Sequence, residues 1–94
     1  MTDRRRPIVS GVVRDYAGHP VPGARIFFAG GPEAFPDVAL LTSTDGSFTL
    51  AAPASGTYSI ACVSDDHAPT TVTVTVGENG VTDLQIRLEP LRHS

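Results

Sequence analysis

Lysine and tryptophan are both absent from this 94-residue sequence, and cysteine occurs once, as Cys62. Each gap removes a class of explanation. Without lysine no Lys–Asn isopeptide cross-link can form, so duty as a covalently hardened mechanical shaft loses its chemical support. A single cysteine permits no intramolecular disulfide, which fits a reducing compartment or a fold that needs no staple; a cytoplasmic location is the expectation, or an extracellular one if the domain is cut from a larger protein. Without tryptophan the broad aromatic platforms that stack sugars reduce to Tyr16, Phe27 and Phe35, which disfavours carbohydrate as a ligand. Cations are also scarce. Seven basic residues, all arginine, stand against ten acidic ones for a formal charge of -3, and only Arg4, Arg5 and Arg6 cluster, which argues against nucleic-acid binding. No long hydrophobic run follows those arginines, because Pro7 and then alternating residues come next. The stretch reads as neither signal peptide nor membrane span.

What is present describes one small soluble domain. The chain is 40% hydrophobic and 18% charged with mean hydropathy +0.02, too apolar for disorder and too short for two cores. A domain of this size buries roughly 60 to 65% of its unfolded surface, so nearly every inward position must be apolar and no deep internal cavity is expected.

The arrangement starts at Val9 to Phe28, which spells two strands and a corner. Val9, Gly11 and Val13 share one side of the first strand, with Ile8, Ser10, Val12 and Arg14 on the other. Ala24, Ile26 and Phe28 form the inner side of the second, with Arg25 and Phe27 outside. Between them, Asp15 to Gly23 is turn material, with Gly18 and Gly23 able to take positive φ and Pro20 and Pro22 fixing theirs. Gly30 to Asp37 reads as a surface loop with Phe35 tucked under it. A short strand over Ala39 to Ser43 follows, then an Asp45-Gly46 hairpin turn and a strand burying Phe48 and Leu50. Tyr58, Ile60 and Cys62 face inward on a fifth strand. Thr71-Val72-Thr73-Val74-Thr75-Val76 is the cleanest alternation in the chain, and Leu84, Ile86 and Leu88 line the last strand before Glu89-Pro90 stops it. No helix is needed. Seven short strands separated by Gly, Pro and Asp turns predict two packed antiparallel sheets, since a single sheet would leave one apolar face wet. Residues 1–7 read as a disordered basic arm, 8–89 as the domain and 90–94 as a tail.

The groups that could carry chemistry are dispersed. His19 falls on a corner, His67 on a loop, His93 on the tail and Cys62 on a core strand, with no spacing that suits a metal. Cys62 is in register with Tyr58 and Ile60, a small buried hydrophobe with no basic neighbour in sequence to activate it. Asp65, Asp66 and Asp45 offer too few oxygens at too irregular a spacing for a calcium loop. No cofactor or metal site and no catalytic residue is assigned.

Taken together, Ser10-Gly11-x-Val13-x-Asp15-x-x-Gly18-x-Pro20-Val21-x-Gly23-Ala24, then Thr42-x-x-Asp45-Gly46-x-Phe48-x-Leu50, then Gly56-x-Tyr58-x-Ile60 resemble the carboxypeptidase regulatory-like domain over about Ile8 to Leu88. The resemblance implies a transthyretin-like (prealbumin-like) seven-stranded Greek-key sandwich, and an accessory or binding module without catalysis of its own. The Asp65 to Pro69 loop departs from the pattern, since His67-Ala68 stands where such domains often carry Gly-Tyr. Tyr58 is expected to anchor its ring in the core with its hydroxyl on a backbone group. The transthyretin-like fold also includes hydroxyisourate hydrolase, whose first strand carries His-Val-Leu-Asp and whose end reads Tyr-Arg-Gly-Ser. Here those places hold Val12-Val13-Arg14-Asp15 and Leu91-Arg92-His93-Ser94. Valine at 12 supplies no general base, so a degenerate hydrolase is only the alternative. If β-strand neighbours in sequence pair in space, Ile8, Val12 and Phe27 project together from the outer face, and this patch is the candidate interface for a protein partner or a second copy, with an exposed edge strand that accepts a partner peptide as the related alternative.

Overall fold

The computed structural model describes residues 7–31 and 39–90. Among them lie seven strands and no helix: β1 (Ile8–Asp15), β2 (Arg25–Gly30), β3 (Leu40–Leu41), β4 (Ser47–Ala51), β5 (Gly56–Val63), β6 (Thr70–Val76) and β7 (Val81–Leu88). They form a three-stranded sheet of order β4-β1-β7 and a four-stranded sheet of order β3-β2-β5-β6. Period-two alternation puts Val9, Val13, Phe48, Leu50, Ile86 and Leu88 on the inner face of the first sheet. Ile26, Phe28, Tyr58, Ile60, Cys62 and Val76 occupy that of the second, and the two sets join as one core. Each fully buried aliphatic or aromatic side chain there contributes about 1.5–3 kcal/mol.

The all-β, seven-stranded sandwich is thus as the sequence predicts, with two differences in connection. β1 and β7 run parallel, whereas β1–β4, β2–β3, β2–β5 and β5–β6 are antiparallel. The chain reaches β7 from β6 in the opposite sheet, so no hairpin dictates its direction beside β1. The Asp45-Gly46 turn is not a hairpin either, because β3 and β4 belong to different sheets. It is nevertheless tight. The Gly46 N–H donates to the Ser43 carbonyl at 2.8 Å and the Ser43 N–H to the Ser47 carbonyl at 2.9 Å, with Gly46 at φ 79°. This turn carries the chain from one sheet to the other.

Thr42 stands just before that crossing and is buried. Its hydroxyl donates to the Val21 carbonyl at 2.6 Å and accepts the Ala24 N–H at 2.9 Å. One side chain thereby ties the incoming end of β2 to the outgoing end of β3. The corner after β1 is closed in a similar way by Asp15, whose Oδ1 accepts the backbone N–H groups of Ala17 and His19, both at 2.9 Å. A short side-chain acceptor satisfying the turn's own amides is why aspartate suits the position.

Gly11 occupies an inward position where an apolar side chain would be the rule. β7 carries a bulge opposite it: the register passes from Val9↔Val81 to Gly11↔Leu84, and Asp83 within the bulge adopts φ 61°. The bulge drives the Leu84 carbonyl against Gly11, so a Cβ there would overlap Leu84 backbone. Pro7, read from sequence as the end of a free arm, is instead buried and its carbonyl accepts the Ala52 N–H at 2.8 Å. The remaining arm residues, the proposed tuck of Phe35 and residues 91–94 of the tail lie outside the described residues.

Candidate functional site

The structure separates the three residues that the sequence grouped as an interface. Ile8 and Val12 lie on β1 in the three-stranded sheet, and Phe27 lies on β2 in the four-stranded one. The outer faces of a sandwich point away from each other, so the three cannot form one patch. The error came from pairing β1 with β2 because they are consecutive. The turn from Asp15 to Gly23 carries the chain between sheets, with only a bridge from Arg14 to Pro20 beside it.

Each half has different surroundings. Ile8 is 42% exposed and faces Ala51 across the β1–β4 ladder, while Val12 is half-buried between Ser47 and Gln85. That face is otherwise polar, and Arg14 sits opposite Arg87 on it. On the four-stranded sheet, Phe27 pairs with Ala61, and Arg25 pairs with both Leu41 and Val63. Partners in an antiparallel ladder share a face. Leu41, Phe27, Ala61 and Val63 therefore make a small outer apolar cluster around Arg25, with Ala61 buried despite pointing away from the core and Leu41 65% exposed. Sequence reasoning missed Leu41, because a two-residue strand has too little alternation to reveal which side is wet.

The groups with chemical potential stay apart. Cys62 is fully buried, and burial alone pushes its thiol up to about 11 from an ordinary 9.0. That is the opposite of an activated nucleophile. His67 is half-buried, with Nδ1 3.2 Å from the Ser64 hydroxyl, in a loop held to the far end of the chain by the Ala68 N–H donating to the Glu89 carbonyl at 2.8 Å. His19 Nδ1 lies 3.7 Å from Asp15 Oδ2 at the exposed corner. The Asp15 carboxyl is held below its ordinary 3.8, first by the His19 backbone N–H, with further help from the Ala17 N–H and against a smaller opposing effect of desolvation. Asp45 is lowered chiefly by hydrogen bonding from the Ser47 hydroxyl and N–H. Both shifts are those of turn acids satisfied by their own loops. Among the described residues no group of three or more His, Cys, Asp or Glu side chains converges as metal ligands do. His93 and Arg92 lie outside the described residues.

Tyr58 has the structural role its motif implied. Its ring packs 5.0 Å from that of Phe28 at 47°, and its hydroxyl donates to the Ala54 carbonyl at 2.7 Å while accepting the Ala54 N–H at 3.3 Å.

The remaining candidates are the sheet edges. Of the four edge strands, β3 has two residues. β7 is interrupted by the Asp83 bulge and carries Asp83 and Arg87, which blunts it against foreign strands. β4 is uncharged and short, at five residues. β6 differs from all of these: seven residues, Thr70–Val76, without charge, proline, glycine or bulge, paired to β5 along its whole length and to no strand on its other side among the described residues.

No curated protein matches the chain. Among solved structures, a similar fold occurs in the crystal structure of an N-terminal interface mutant of a type II cohesin–X-dockerin complex from Acetivibrio cellulolyticus. The TM-score is 0.67 at 18% identity, over 89% of this chain and 58% of that one. At this identity the likeness is one of fold. A family model described as the carboxypeptidase regulatory-like domain matches residues 8–89. That span opens on the first residue of β1 and closes just beyond β7, enclosing both sheets and every turn between them. The chain belongs to the carboxypeptidase regulatory-like domain family.

Proposed function

We propose that this domain is a non-catalytic protein-binding module that acts by accepting an extended strand along β6. The observation that carries the reading is the unblunted edge itself. An edge strand presents a row of backbone N–H and C=O groups, and proteins that do not use such an edge interrupt it with charge, proline or a bulge. β7 has two of those devices and β6 has none. Strand addition takes affinity from main-chain hydrogen bonds and specificity from alternate side chains. The alternation of β6, with Val72 and Val74 half-buried below and Thr71, Thr73 and Thr75 exposed above, favours a ligand strand with one apolar and one polar side. Membership in a family of accessory domains supports the same class of role. The dispersal of His, Cys and Asp groups weighs against hydrolysis.

The test is a titration of isotopically labelled domain with capped seven-residue peptides of alternating valine and threonine or serine, followed through backbone amide shifts. Shifts concentrated on Thr70–Val76 are expected. Unchanged β6 amides at millimolar peptide refute edge binding. A second reading rests on the outer cluster of Phe27, Leu41, Ala61 and Val63, whose most exposed member, Leu41, is 65% accessible. If that face is the contact, Phe27→Ser abolishes partner binding while β6 substitutions leave it unchanged.

A further inference from the structure

We infer that the strand accepted by β6 is β6 of a second copy, the two strands lying antiparallel across a two-fold axis at Thr73 and joining two four-stranded sheets into one. The inference rests on the edge-binding reading and names its occupant. Three observations on this strand lead there.

First, β6 is complementary to its own reverse. With Thr73 on the axis, Thr71 faces Thr75 of the other copy, Thr73 faces Thr73, and Val72 faces Val74. Thr71, Thr73 and Thr75 then stay on the solvent side and the valines on the core side, where Thr70, at the end of the strand, faces Val76 of the other copy. A pairing in which each patch meets the same patch is what a closed two-fold dimer requires. Second, the chain already makes this kind of pair internally. Thr75 faces Thr57 of β5 with the hydroxyls 3.3 Å apart, so a second β6 would repeat on the free side a cross-strand contact that stabilises the bound side. Third, Val76 is buried but Val72 and Val74 are only half-buried against the core. The four-stranded sheet has one strand more than the three-stranded sheet it packs on, and β6 is one of its two edges. Valines of a second β6 would lie beside Val72 and Val74 and cover them. With no ionisable side chain between Thr70 and Val76, self-pairing meets no like-charge repulsion, and a charged foreign peptide finds nothing on the strand to select it.

A single pair of edge strands buries less surface than a standard protein interface, so the dimer is weak and reversible. Sedimentation equilibrium over a concentration series from micromolar to millimolar is the assay. A monomer–dimer equilibrium is expected. The variant carrying Thr71→Lys, Thr73→Lys and Thr75→Lys places lysine opposite lysine at three positions on an already exposed face, and should weaken the dimer by on the order of a hundredfold. The variant with glutamate at the same three positions should dimerise as poorly, and an equimolar mixture of the two should restore a heterodimer tighter than either. Circular dichroism confirms that both variants are folded, and Thr49→Lys on the outer face of β4 should leave the dimer intact. A concentration-independent monomer overturns the self-pairing, as does a dimer indifferent to the lysines. If the monomer still shows β6 amide shifts with the alternating peptides, edge binding survives and only its occupant is wrong. If those shifts are missing too, both fall.

Discussion

Gly11→Ala adds one methyl group at the most constrained backbone contact in the core. The new Cβ would overlap the carbonyl and backbone carbon of Leu84. A backbone atom cannot rotate out of the way as a side-chain tip can, so relief requires β7 to shift away from β1 or the bulge at Asp83 to open. Overpacking of this kind costs typically 1–3 kcal/mol, and opposition from backbone places Gly11→Ala near the upper end, about 3 kcal/mol. Alanine also restricts the unfolded chain, which offsets roughly 0.4–1 kcal/mol and leaves about 2 kcal/mol net. For a domain of this size each kcal/mol moves Tm by about 4–8 °C, so a fall of roughly 8–16 °C is expected in a thermal scan. The matched control is Gly77→Ala. That glycine is exposed, has nothing within 4 Å of its would-be Cβ and does not adopt positive φ, so its substitution should fall within about 0.5 kcal/mol of the parent. If Gly11→Ala unfolds within a degree or two of Gly77→Ala, the close approach of Leu84 is not what selects glycine, and the bulge does not lock β1 to β7.

Thr42→Val keeps the shape of the side chain but leaves the Val21 carbonyl and Ala24 N–H without their partner. Urea unfolding should show a loss of about 2–3 kcal/mol, with Thr42→Ser recovering most of it. Cys62 should resist thiol reagents in the native state at neutral pH and be modified only as fast as the domain unfolds, because its thiol is buried; rapid labelling of folded protein would contradict this. Its raised pKa means that the folded state holds the proton more tightly than the unfolded one. Stability contributed by the neutral thiol is therefore complete below about 9 and is lost as pH rises toward about 11. Asp15 and Asp45 have the opposite sign: both are lowered in the fold, so their contribution is present above 3.8 and disappears as pH falls through their depressed values. The double variant Asp15→Asn, Asp45→Asn should lose less stability than the parent on acidification, and indistinguishable acid profiles would refute the assignment.

Much of the architecture was legible because alternation is a local property. Val72, Val74 and Val76 against Thr71, Thr73 and Thr75, or Ile86 and Leu88 against Gln85 and Arg87, declare which side faces the core without reference to any partner strand. The turn acids were legible for a similar reason, since Asp15 and Asp45 satisfy amides two to four residues away. Tyr58 was readable too, its hydroxyl closing on a carbonyl four residues earlier. The interface failed where reasoning needed a long-range fact. That Ile8 and Val12 point outward follows from the period of β1, but whether Phe27 stands beside them depends on which sheet receives β2.

Composition and periodicity by themselves determined that this chain is an all-β domain, which side chains enter its core and where it turns, because each follows from sterics and hydrogen bonding over a few residues. Only the tertiary structure decided that β1 runs parallel to β7, that a bulge makes glycine obligatory at residue 11, and that β6 rather than β7 offers a clean edge. Those outcomes depend on pairing between strands far apart in sequence, where the entropy of closing the chain and the fit of two sheets select one arrangement among several that the same alternation would allow.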